Sequence, residues 1–126
     1  MTVVYDAGAL IAAERSSARM LSLHAAVLRG GRRPVVPTIV LGQVWRGTAR
    51  QAVLSRLLKS CQVLNLDVVT AKQGGQLCGQ AGTADLADAV VAVLAIRHNA
   101  RVATSDPGDI SWLGEAAGWH LPIVTI

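Results

Sequence analysis

The chain has no phenylalanine, one tyrosine and three tryptophans among its 126 residues, so its interior must be built from aliphatic side chains. Charged residues are scarce at 16%, against 52% hydrophobic, and this excludes a disordered chain. Long apolar runs are missing too. The longest, residues 89–96, is too short to span a bilayer. Asp6 and Glu14 interrupt the start of the chain, so no secretory pattern is expected there. The only cysteines, Cys61 and Cys78, lack metal-type spacing and read as buried free thiols of a cytoplasmic protein. No glycine-rich loop carries the Lys and Ser/Thr of a phosphate-binding turn, which excludes a P-loop enzyme. Lysine occurs only at positions 59 and 72. A phosphorelay receiver, which needs an acidic pair after its first strand and a lysine near its last strands, is therefore disfavoured. The run Asp6-Ala-Gly8 excludes an Asp-x-Asp phosphatase.

What is present alternates. Short β-rich runs at 2–6, 34–37, 62–66, 101–104 and 121–126 are separated by helical patterns at 9–14, 18–29, 38–46, 49–60, 68–81, 87–97 and 110–117. Such alternation predicts one α/β domain over 1–126, with a parallel sheet of about five strands between helical layers. Thr38, Asp67 and Asp109 are expected to cap helices, and Ser16 and Ser17 to precede one. Trp45 is expected to anchor the core, and Trp112 and Trp119 to pack the end of the fold. His24 reads as a helix surface or core-edge residue. Gly74 and Gly75 mark a weak point or a close-packing site.

Charge is uneven along the chain. Nine of the twelve basic residues lie in 1–59, where Asp6 and Glu14 are the only acids. That half suits a polyanionic partner. The acids fall elsewhere and in a pattern. Asp6 ends the first strand, Asp106 and Asp109 leave the fourth, and Asp85 and Asp88 share one face at the start of an apolar helix. In open α/β sheets, ligands sit beyond the carboxyl ends of strands. If the first and fourth strands are neighbours, these five acids meet at one edge. Clustered carboxylates oppose one another's ionisation. A hard divalent cation resolves that conflict, and Mg²⁺ or Mn²⁺ takes carboxylate, water and phosphate oxygens. With basic residues gripping flanking phosphates, the pattern describes a metal-dependent nuclease.

Three blocks, VVYDAGAL at 3–10, DAVVAVLA at 88–95 and VATSDPGD at 102–109, resemble the acidic blocks of the PIN-domain ribonucleases, and their size and order resemble the VapC-type toxins of bacterial toxin–antitoxin pairs. The resemblance implies a Rossmann-like α/β/α sandwich, Mg²⁺- or Mn²⁺-dependent RNA cleavage in the cytoplasm, a homodimer, and inhibition by a small antitoxin protein. Carried over by position, Asp6, Asp88 and Asp106 are the catalytic metal-site acids, and Asp109 is a further acid. Gln43, Arg46, Thr104 and Ser105 are expected at the substrate. The block VLGQVWR at 40–46 departs from the family, which usually has Glu where this chain has Gln43. An amide can ligate through oxygen but brings no charge. Asp85 is a candidate to supply the missing charge. A PIN-like domain that binds RNA or a protein without cutting is the competing expectation.

Overall fold

The computed structural model describes residues 2–126. Among them, five strands, β1 (Val3–Tyr5), β2 (Val35–Pro37), β3 (Gln62–Leu64), β4 (Arg101–Thr104) and β5 (Ile123–Thr125), form one parallel sheet in the order β3-β2-β1-β4-β5. Seven α-helices connect them: α1 (Ala7–Glu14), α2 (Ala18–Arg29), α3 (Thr38–Val44), α4 (Ala52–Leu58), α5 (Val68–Ala81), α6 (Leu86–Arg97) and α7 (Pro107–Ala116). The chain steps outward from β1 to β3, then crosses to β4 and steps outward the other way. Right-handed crossovers therefore put α1–α4 on one face and α5–α7 on the other, giving the expected three-layer α/β/α sandwich. The strand order reverses between β1 and β4, which pair in register with Tyr5 opposite Ala103. That reversal opens a crevice at the carboxyl ends of the two strands, the place where open α/β sheets bind ligands.

Without phenylalanine, the core is a layer of Val, Ala and Leu. Val4, Val36, Val91, Ala92 and Val102 are fully buried. Helix α6 is apolar around most of its circumference because it lies in the core, against β1, β4, α5 and α7. It contacts α5 closely at Gly74, where a Cβ would stand 3.1 Å from both Leu86 Cδ1 and Val90 Cγ2. The glycine is thus a close-packing site. No single helix among the described residues is long and apolar enough to cross a membrane. Only α5 and α6 together reach that length, and they are bent by 109° at their junction.

Several local expectations change. Helix α7 begins at Pro107, since proline fits a first helical turn, so Asp109 lies within that turn instead of capping it. Thr38 is the first residue of α3 and makes no capping bond; its Oγ1 accepts from Leu66 N instead and ties α3 to the end of β3. Asp67 does cap α5, accepting from Thr70 N, and Ser17 caps α2. Cys61 is buried and free, but Cys78 is only half-buried. All three tryptophans are exposed, Trp45 at 42%, Trp112 at 59% and Trp119 at 45%.

His24 turns out to be a core residue. Its Nδ1 meets the Tyr5 hydroxyl at 2.9 Å and its Nε2 meets Ser60 Oγ at 2.7 Å, while Ser60 donates to Leu57 O. Because Ser60 has spent its proton, the network assigns Nε2–H to a neutral ring that accepts from Tyr5. Burial lowers the His24 pKa accordingly. The chain of bonds joins α2, β1 and the loop before β3. His24→Leu leaves a buried tyrosine hydroxyl without its partner and should cost about 1–3 kcal/mol in urea unfolding. A loss below about 0.5 kcal/mol would mean that the network adds little.

Candidate active site at the carboxyl edge

Each acid reaches the crevice for a local reason. Asp6 follows β1 directly and caps α1, its Oδ1 accepting from Ala9 N at 2.9 Å. It is 5% exposed, and burial raises its pKa despite hydrogen bonds from the Thr104 hydroxyl and from the Ala9 and Gly8 amides. Thr104 is itself completely buried at the end of β4. Its Oγ1 also accepts from Asp106 N at 2.9 Å, so one hydroxyl links the two strand-end acids and does not face solvent. Gly8 allows this approach, because a Cβ there would meet Ser105 Oγ, with Ser105 Cβ at 3.1 Å and N at 3.2 Å. Ser105 is exposed on the turn that follows β4.

Asp85 and Asp88 stand one helical turn apart at the start of α6. Asp85 is the N-cap, its Oδ1 accepting from Asp88 N at 3.0 Å. Asp88 is half-buried, and its pKa is pushed up to about 7, first by burial and then by the charges of Asp85, Asp6 and Asp109. Asp109 is raised as well, chiefly by its hydrogen bond to Asp106 and by that residue's charge, with a contribution from Asp85. Asp106 in turn raises Asp6. The five acids named from the sequence are thus one electrostatic cluster, drawn from β1, α6 and the start of α7. A cleft of about 430 Å³ opens beside them, lined by Gly82, Thr83, Asp85, Asp88, Asp109 and Trp112 among others.

The donor chemistry fits a hard divalent cation. The groups are carboxylate oxygens, and their mutual repulsion is what bound positive charge would relieve. Among the described residues, no three of these side chains close on a point as a finished metal cage does. Asp85, Asp106 and Asp109 are exposed.

The remaining candidates lie elsewhere. Gln43 is exposed on the last turn of α3, a helix that packs against α1 and α6, and its side chain makes no hydrogen bond among the described residues. Arg46 is exposed just beyond, its guanidinium donating to Trp45 O at 2.8 Å. With Arg50, Thr48 and Glu14 it borders a second cleft of about 520 Å³. This loop owes its shape to Gln51, a residue with no sequence signal of its own. Gln51 is 3% exposed; its Oε1 accepts from Arg46 N and Gly47 N, and its Nε2 donates to Val44 O. Three backbone groups at the end of α3 are satisfied by that one side chain, which stops the helix at Val44, short of the expected 46.

The family model that describes the PIN domain matches residues 3–111 of this reversed-order sheet. The chain belongs to the PIN domain family, whose members are generally nucleases and typically use divalent metal ions. No curated protein matches it in sequence. Among solved structures, the fold is similar to a chain in the VapBC2 complex of Rickettsia felis bound to a DNA fragment from their promoter. The TM-score is 0.76 at 14% identity, covering 100% of this chain and 99% of that one.

Proposed function

We propose that this protein is a Mg²⁺- or Mn²⁺-dependent endoribonuclease, acting in the cytoplasm as the toxin of a VapBC-type pair. The observation that carries the reading is the gathering of Asp85, Asp88 and Asp109 along one cleft at the carboxyl edge, with Asp6 at the end of β1 and Asp106 after β4 beside them, where the carboxylates raise one another's pKa. Such a cluster is a liability to the fold unless a cation offsets it. Asp6, Asp88 and Asp106 would hold the metal, with Asp109 and Asp85 beside them. When bound, the cation supplies a water of lowered pKa and charge for the phosphate oxygens. Thr104 holds Asp6 and Asp106 in register, and Ser105 borders the strand end. Arg46 and Arg50 would take flanking phosphates, and Arg50 has no protein partner among the described residues. A small antitoxin partner would complete the VapC-type reading, supported by likeness to the VapBC2 complex; a homodimer is expected from the family resemblance alone.

The test is cleavage of single-stranded RNA by the purified chain with Mn²⁺ and with chelator. Products should form only with metal, and Asp6→Ala should abolish them. One observation favours a second reading: Gln43 brings no charge where the family usually has Glu. RNA binding that survives chelation, with no cleavage under any metal, would establish a PIN domain that binds and does not cut.

A further inference from the structure

The acid cleft has one lining side chain that metal chemistry does not use. Helix α7 places Asp109 and Trp112 one turn apart, and both line the cleft together with the Asp85 and Asp88 pair of α6. Trp112 is 59% exposed, whereas Ile110 and Leu113 on the same helix are buried. It is nevertheless held. Its Nε1–H donates to Ala81 O, the last carbonyl of α5, at 2.8 Å. That tether fixes the indole edge and leaves more than half of the residue's surface open beside the acids.

We propose that Trp112 is a positioning residue for substrate, the stacking platform for a base of single-stranded RNA whose phosphate lies at the acid cluster. The inference rests on the nuclease reading and deepens it. An acidic cleft holds a nucleotide through cation and phosphate, and the base then needs an apolar plane. Aromatic side chains provide that plane for any base. A ring already fixed by its N–H loses little freedom when a base settles on it. A tether alone would not account for the exposure, since it needs one donor and not an open bicyclic ring. The sequence offers no other aromatic side chain along α6, α7 or the 82–85 segment.

Two substitutions separate stacking from the tether. Trp112→Phe and Trp112→Leu both remove the N–H donor, and only the first keeps a π face. With Mn²⁺ and a short RNA that the wild type cuts, Trp112→Leu should raise KM on the order of tenfold with kcat little changed, and Trp112→Phe should recover most of the loss. A direct readout uses Asp6→Asn to prevent turnover, with Trp45→Phe and Trp119→Phe so that Trp112 is the sole indole. Saturating RNA should quench its emission, and an abasic nucleotide at the stacked position should weaken both quenching and binding. Equal KM values for the Phe and Leu variants, or RNA that binds by anisotropy of a labelled strand without moving the emission, would overturn the assignment and leave the nuclease reading intact. A wild type that neither binds nor cuts RNA overturns both.

Discussion

Asp88→Asn should stabilise the metal-free protein at neutral pH and at the same time remove its cleavage. The two effects share one cause. Burial and the charges of Asp85, Asp6 and Asp109 raise the Asp88 pKa to about 7 in the fold, against 3.8 for a free carboxyl. The folded state therefore favours the protonated form. Stability from this group is fully present below its unfolded value and is lost as pH rises through about 7, because the unfolded chain then releases a proton that the fold still prefers to keep. At full strength that change is worth about 4 kcal/mol. Asp88 is half-buried and partly screened, so a loss on the order of 2 kcal/mol between pH 4 and 8 is the realistic size. Asn carries no charge, and its amide can donate to Asp85. The variant should lose that pH slope in urea melts taken in chelator.

With Mn²⁺ the order reverses. A cation that binds the folded cluster stabilises it by mass action, so the wild type should gain thermal stability with metal and the variant should gain little. Cleavage should fall by on the order of a hundredfold or more, the usual cost of deleting one preorganised electrostatic contact. An Asp88→Asn protein that cuts RNA normally would remove this acid from the machinery. One whose stability keeps the wild-type pH slope would show that another group carries it.

The strand-end acids were legible because two simple signals coincided: a β-rich run ended in a carboxylate, twice, and the alternation of elements implied a parallel sheet. Asp6 and the turn that carries Asp106 then fell at one edge as soon as β1 and β4 proved to be neighbours. The tryptophans were misjudged for the opposite reason. Composition says that aromatic groups are buried on average. Which face of a helix looks outward depends on what packs against it, and the aliphatic layer already fills the core. Gln51 was invisible as well. A glutamine in a basic stretch reads as surface, and only the path of the chain after Val44 turns its amide inward. The Tyr5, His24 and Ser60 chain joins residues 19 and 36 positions apart, a distance over which no local periodicity carries information.

Asp85→Asn should weaken Mn²⁺ binding by about tenfold, and Gln43→Glu should restore much of that loss. The size is that of removing a supporting group from a metal site. Asn is as good an N-cap as Asp, so the start of α6 and the Asp88 N bond are preserved while the charge goes. A change in helix stability therefore cannot account for a change in affinity. The two positions stand on different elements, Gln43 on the last turn of α3 and Asp85 at the start of α6, and α3 packs against α6. If Asp85 stands in for the carboxylate that position 43 lacks, the substitutions must couple. Gln43→Glu should help strongly where Asp85 is absent, and less in the wild type, where a sixth acid adds repulsion as well as a ligand. A double-mutant cycle on Mn²⁺ affinity, read by metal-dependent thermal shift and by cleavage rate, measures that coupling. Equal gains from Gln43→Glu in both backgrounds would make the two positions independent and Asp85 a helix cap alone. No gain in either background would place residue 43 outside the metal's reach, and would leave this PIN domain with an acid set drawn entirely from β1, α6 and the turn after β4.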